Sequence, residues 1–472
     1  MKKIDKNSLD SDHVCRLLFI FTLPAFFAMA VHTLYNVVDT IFIGQYVGPY
    51  AIAALSLVFP VQILSIGIGH MAGMGGASLI SRSLGAGKIQ QAEKAVGNSI
   101  MITAVLSILV TIPGLINVPL LCRWLGATDN TIVYASDYLF VILIGMLFMT
   151  FGMTLSTLIR AGGNARVPMI GMVCSAALNI VLDAIFIITF GMGVKGAAWA
   201  TVISQVLCTI YFLGYYFWGK PALSFKLADL WPDWKIIKDI FAIGVSALGM
   251  TLAGSFSAII VNRTVVSYGG DMAMSAYGIV NRVMMFAIMP SIVAAQGLQP
   301  IIGFNYGAGR FDRVIKSIKI GTFATTLIGV LVYLYVFFKP ESVVMIFTAD
   351  RELIDIASYA VKRVFCVMYL IGLINVGATV FQSIGKAVQS FLSTVTRSIL
   401  FLLPAILIMP GFMGLDGVWW AFPIADLLTF ALVLFMLAPL WFELKRLNSA
   451  AKAVSSEPLV PDSIEGSSQA VA

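Results

Sequence analysis

Charge is what this chain has least of. Asp, Glu, Lys and Arg make up 11% of its 472 residues, against 59% hydrophobic residues. A soluble protein carries about twice that charged share, so a soluble globular enzyme or scaffold is excluded. Cysteine is also sparse. Cys15, Cys122, Cys174, Cys208 and Cys366 are scattered, and no pair has metal-ligand spacing. That excludes a zinc module and a disulfide framework, and the five read as small core residues. The turns Gly85-Ala86-Gly87-Lys88 and Gly307-Ala308-Gly309-Arg310 lack the spacing and the following Ser/Thr of a phosphate loop. No Ser/His/Asp arrangement or nucleotide motif points to an enzyme, and no cofactor is implied.

Long apolar stretches are what the chain has instead. We read twelve, each long enough to cross a bilayer as a helix: about 14–45, 52–81, 92–118, 133–159, 167–190, 193–218, 238–267, 273–302, 316–338, 354–384, 388–410 and 415–442. Ile4 to His13 is polar, and the first apolar run has no small-residue cleavage site, so it reads as a retained helix rather than a signal peptide. The expected class is an all-α polytopic membrane protein.

The chain repeats itself at one constant offset. Tyr46, Gly48, Ala51 and Ala54 are matched in the second half by Tyr268, Gly270, Ala273 and Ala276. Leu84-Gly85-Ala86-Gly87-Lys88 is matched by Tyr306-Gly307-Ala308-Gly309-Arg310, and Gly163-Asn164-Ala165 by Gly385-Lys386-Ala387, at the same offset. Gly196, Trp199 and Ala200 recur as Gly417, Trp420 and Ala421, one position short of it. Six spans fall in each copy. An even number leaves both copies in one orientation, related by a pseudo-twofold along the membrane normal. The expected organisation is a six-helix lobe over 1–218, a linker over 219–237, a second six-helix lobe over 238–447, and a disordered tail over 448–472 rich in Ser, Ala, Glu and Pro.

The net charge of +7 follows the topology and does not imply nucleic acid. With the N-terminus inside, inner segments hold 21 basic residues, and outer loops hold only the 4 at Arg123, Lys195, Lys339 and Arg351. The positive-inside rule then places both termini in the cytoplasm of a cell that holds this protein in its plasma membrane. Pro24, Pro60, Pro290 and Pro404 lie inside spans and are expected to kink them.

Ionisable residues inside a membrane helix are functional candidates because burying them is costly. Asp39 lies in the first span behind Tyr35 and Asn36, which are four and three residues earlier and so share its helix face. Asp183 lies in the fifth span behind Asn179, four residues earlier. Two carboxylates at close quarters would titrate as a unit, which is what a proton-coupling site requires. Oxygens at that density also suit Na⁺. The second copy breaks the symmetry: Val261 and Ala405 occupy the positions equivalent to Asp39 and Asp183. Ion coupling is therefore expected in the N-terminal half. Asp426, the one acid among the intramembrane polar residues of the second copy, is expected to pair with Arg397 or Arg282. His32 and His70 read as hydrogen-bonded structural residues. Met284, Met285 and Met289 suit an adaptable binding surface.

In these features the chain resembles the multidrug and toxic compound extrusion (MATE) family, over roughly residues 14 to 442. The resemblance is carried by Leu23-Pro24, Asp39-Thr40-Ile41-Phe42-Ile43-Gly44, the repeated GAG turns, Arg160-Ala161-Gly162-Gly163, the Asn179-to-Asp183 pattern and Gly196-Ala197-Ala198-Trp199-Ala200-Thr201. It is similar to the DinF-like branch, and within it to the MepA-like exporters. The resemblance implies two lobes in a V with alternating access, and export of cationic amphipathic drugs against an inward H⁺ or Na⁺ gradient. It implies a cation-coupling network at Tyr35, Asp39, Asn179, Asp183 and Thr201, with Asp39, Asn179, Asp183 and Thr201 able to hold Na⁺. Candidate substrate contacts are Asn36, Asp39, Asp183, Met284 and Gln296. The acids that the NorM-like branch uses in its C-terminal lobe have no match near Asn262 or Asn375. A monomer in the lipid bilayer is expected.

The alternative within the same superfamily is a flippase for lipid-linked precursors. Its anionic cargo would call for Arg and Lys along the cavity, and the N-half helices here hold more acid and aromatic than base. A receptor is disfavoured by the twofold repeat. A major-facilitator transporter would carry a Gly-Asp-Arg-type turn where Leu84-Gly85-Ala86-Gly87-Lys88 stands.

Overall fold

The computed structural model describes residues 13–219, 221–224 and 226–456, apart from the side chains of His32, Asn36, Val37, Thr40, Pro49 and residues 452–456. Six long helices form the first copy: α1 Val14–Tyr46, α2 Pro49–Gly85, α3 Ile89–Ile116, α4 Ile132–Ala161, α5 Arg166–Thr189 and α6 Gly193–Trp218. The helix Trp234–Gly307 is broken at Gly270, whose φ of 64° is in the left-handed region. It is therefore two spans, α7 (234–269) and α8 (271–307). Then come α9 Phe311–Phe338, a span α10 made of Arg351–Val364 and Met368–Ile384 bent by 43°, α11 Ala387–Met413 and α12 Leu415–Ser456. The twelve expected spans are thus present.

The repeat extends to the backbone. Gly87 (φ 73°) and Gly309 (φ 70°) end α2 and α8 at equivalent positions of the two copies. Each permits the same closing hydrogen bond, Lys88 N to Ser83 O at 2.8 Å and Arg310 N to Asn305 O at 2.9 Å. These are helix C-caps that need a residue free to take positive φ. No phosphate loop is involved.

Two boundaries differ from expectation. Helix α7 begins at Trp234, inside the expected linker, because Asp233 caps it: its Oδ1 accepts from Lys235 N at 3.1 Å. The linker is also fastened down. Buried Asn98 of α3 donates to Asp229 O (3.1 Å) and Trp231 O (3.3 Å) and accepts from Asp233 N (2.9 Å). At the other end α12 continues to Ser456, past residue 448 where the tail was expected to start. Residues 457–472 lie outside the described residues.

The two halves exchange helix ends. Leu17, Leu18 and Phe21 of α1 sit in one core with Leu298, Ile301 and Ile302 of α8 and Val380 and Phe381 of α10. Ile236 and Ile240 of α7 sit in another with Ile80 of α2, Val96 of α3 and Leu158 of α4. Leu18 and Ile240 are equivalent positions of the repeat, so each contact is the image of the other. The N-lobe and the C-lobe thus interlock at the end of the bundle that carries the GAG turns.

Candidate functional site

Three N-lobe helices bring the sequence candidates together. Helix α1 packs against α5, and α5 against α6. Tyr35 and Asp39 of α1, Asn179 and Asp183 of α5, and Thr201 of α6 are all buried, Asp183 completely (0% exposed). Asp39 and Asp183 lie within electrostatic reach of each other. Each has one carboxylate oxygen, Oδ1, that is buried without a hydrogen-bond partner among the described residues. The side chain of Asn36 lies outside the described residues.

Asn179 links the acid on its own helix to α6. In one amide orientation its Nδ2 donates to Thr201 Oγ1 at 3.4 Å. In the flipped orientation Nδ2 donates to Asp183 Oδ2 at 3.3 Å and the amide oxygen accepts from Thr201 N at 3.3 Å. We adopt the flipped orientation, because it gives the buried carboxylate a donor. Immediately after Asp183 the helix widens into a π-helical turn, Ala184–Thr189. Such turns are rare and recur at functional sites.

Two further residues belong to the cluster. Tyr138 of α4 is buried and interacts electrostatically with Asp39, Tyr35 and Asp183. Its hydroxyl accepts from Gln62 Nε2 of α2 at 3.2 Å. Sequence reasoning missed both, since neither shares a helix with Asp39 or Asp183. Five of the six N-lobe helices therefore contribute to one site holding two carboxylates, two phenols, two amides and a hydroxyl.

The C-lobe positions are apolar where the N-lobe is acidic, and their charge lies elsewhere. Arg397 Nε donates to Asp426 Oδ1 at 2.5 Å, which selects Arg397 over Arg282 as the partner. Arg397 begins the second π-helical turn, Arg397–Leu402. Its equivalent in the first copy is Ser175, whose hydroxyl donates to Ser204 O at 3.0 Å. An ion pair thus holds α11 to α12 where a serine holds α5 to α6. Met284 packs on the C-lobe core and Gln296 is half-buried on α8. The structure groups neither with the N-lobe carboxylates.

A family model, MatE, matches residues 24–185 and 247–407. The chain belongs to the MatE family. Among its relatives is the multidrug export protein MepA of Staphylococcus aureus (strain MSSA476), 28% identical over 418 residues that cover 88% of this chain and 91% of that protein. MepA of Staphylococcus saprophyticus is 26% identical, with 86% of this chain and 89% of that protein covered. Among solved structures, the fold matches the outward-facing conformation of a multidrug resistance MATE family transporter of the MOP superfamily, with a TM-score of 0.86, 25% identity, and 95% and 99% of the two chains covered. It also matches a MOP superfamily transporter from Pyrococcus furiosus described as having a binding pocket of reverse polarity, with a TM-score of 0.85, 26% identity, and 95% and 99% covered. The MatE model covers matching stretches of both copies, in agreement with the internal repeat.

Proposed function

We propose that this MatE protein is a secondary active antiporter that exports cationic amphipathic compounds in exchange for protons. The observation that carries the reading is the pairing of Asp39 with Asp183, both buried in the N-lobe and each with an oxygen left without a donor among the described residues. Two carboxylates in a low dielectric share protons readily and attract a cation when deprotonated. One site can then hold either a proton or a drug cation, and that is sufficient for exchange. The MepA relatives, described as multidrug export proteins, support export as the direction and drugs as the cargo.

The cycle follows from the charge of the cluster. Open to an acidic exterior, it takes up a proton and loses its hold on the cation, which leaves outward. Open to the cytoplasm, it loses the proton and binds the next cation. The asymmetry of 21 inner against 4 outer basic residues supports an orientation with the GAG end and both termini in the cytoplasm. We place the protein in the plasma membrane as a monomer.

Proteoliposomes loaded with a fluorescent cationic dye test the reading. An imposed proton gradient should drive dye movement that a neutral analogue does not show. Export driven by a Na⁺ gradient alone would assign the oxygens of Asp39, Asn179, Asp183 and Thr201 to sodium. Movement of an anionic lipid precursor instead of the dye would support the flippase.

A further inference from the structure

At the GAG end, α2 and α8 meet backbone to backbone, and the meeting is symmetric. A Cβ on Gly85 would strike the carbonyl of Phe304, and a Cβ on Gly307 would strike the carbonyl of Arg82. Phe304 is the repeat equivalent of Arg82, and Gly307 that of Gly85, so each contact is the image of the other. Between them Gly303 faces Ser81, its own equivalent in the first copy. The pseudo-twofold axis of the molecule therefore passes through this seam.

The seam is built to part. The Arg82 carbonyl already accepts from Ala86 N (3.0 Å), and the Phe304 carbonyl accepts from Ala308 N (2.9 Å). Separation leaves neither without a partner, so no backbone desolvation penalty opposes it. Two polar side-chain links between the lobes lie further back along the helices than the glycines. Ser78 Oγ donates to Gln382 O of α10, and Gln299 Nε2 donates to Met74 O at 3.3 Å. The Arg82 guanidinium lies against Gly385 and within electrostatic reach of Asp239 of α7. Close approach of small residues is the usual means by which membrane helices seal against each other.

We propose that Gly85 and Gly307 are the paired gate residues of transport, and that a methyl group on either one holds this end of the molecule open. The proposal rests on the transport reading above. Because the two contacts are images, either methyl alone should separate the helices, and the second should add little.

The test uses the full chain with its five cysteines replaced and cysteines introduced at Gln90 and Asp312. These two positions are exposed and are equivalents of one another beside the seam. Spin labels there should report a short distance in the parent. Gly85→Ala, Gly307→Ala and the double variant should each shift the population to a longer distance, with dye transport reduced at least tenfold, an effect of about 1.4 kcal/mol or more. Folded alanine variants that keep the parent distance would overturn the proposal, as would a shift confined to one of the two. Should an alanine variant fail to fold, the parent pair decides: a short cleavable cross-linker between the two cysteines should stop transport, and reductant should restore it. Transport that continues through the cross-link would rule out a gate. A parent that moves no cation at all would instead refute the transport reading, and the distance shift would still report on the seam.

Discussion

Asp39 of α1 and Asp183 of α5 are two buried carboxylates within electrostatic reach of one another. Each keeps one oxygen without a donor among the described residues. Helix packing alone does not account for two acids placed this way, since buried charge is costly. The pair is better understood as a site that exchanges its occupant. Asp39→Asn and Asp183→Asn should each reduce dye export to background while leaving elution and secondary structure unchanged. Export near the parent rate from either variant would remove the N-lobe coupling site.

Asn179 should matter less than the acids it supports. It contributes one hydrogen bond to Asp183 Oδ2 and accepts one from Thr201 N. A hydrogen bond to a charged group is worth about 1.5–3 kcal/mol, so Asn179→Ala should weaken cation affinity by about tenfold to a hundredfold. Equilibrium dye binding measures this. Affinity unchanged in Asn179→Ala would mean that the amide only fills space.

The Arg397–Asp426 pair should be structural. Removing one partner of a buried pair typically costs about 3–5 kcal/mol, while replacing both with apolar residues is often neutral. Arg397 is partly exposed, with 27% of its side chain accessible, so Arg397→Ala should fall at the low end, about 3 kcal/mol. The double variant R397M/D426L should recover most of that loss in thermal unfolding, and should still exchange protons for dye. Loss of coupling in a stable double variant would give the C-lobe a role in ion exchange.

Much of this was legible in the sequence, and the reason is physical. A repeated membrane unit must repeat its turns. Gly87 and Gly309 were visible as a pair because glycine best tolerates their backbone, and the closing hydrogen bonds proved equivalent. Tyr35, Asp39, Asn179 and Asp183 were visible because three- and four-residue spacing places side chains on one helix face. Tyr138 and Gln62 were not. They reach the acids from α4 and α2, and which faces of different helices meet is set by packing that no local spacing records. The π-helical turns and the choice of Arg397 over Arg282 were hidden for the same reason. Met284 and Gln296 were named as cargo contacts and lie in the C-lobe, Met284 against its core and Gln296 half-buried on α8.

Topology has its own test. Cysteines introduced at Lys2 and Val460, in a background without the native five, should resist a membrane-impermeant maleimide applied to intact cells. Labelling at either position would invert the orientation and place the Gly85–Gly307 seam on the outer face.

External pH should act in one direction. Proton uptake from outside is what displaces the cation, so fewer external protons mean slower release. Raising external pH at constant internal pH should slow dye release, and lowering it should speed release until the cluster is saturated. A rate independent of external pH would separate the carboxylates from the release step.

The most direct measurement is proton release on binding. Purified protein in weakly buffered detergent near neutral pH is mixed with a cationic dye, and free protons are followed by a pH indicator. The account predicts that cation binding expels protons, and that Asp39→Asn and Asp183→Asn abolish the signal. Binding of the dye with no proton released would contradict competition at one site and with it the proposed exchange.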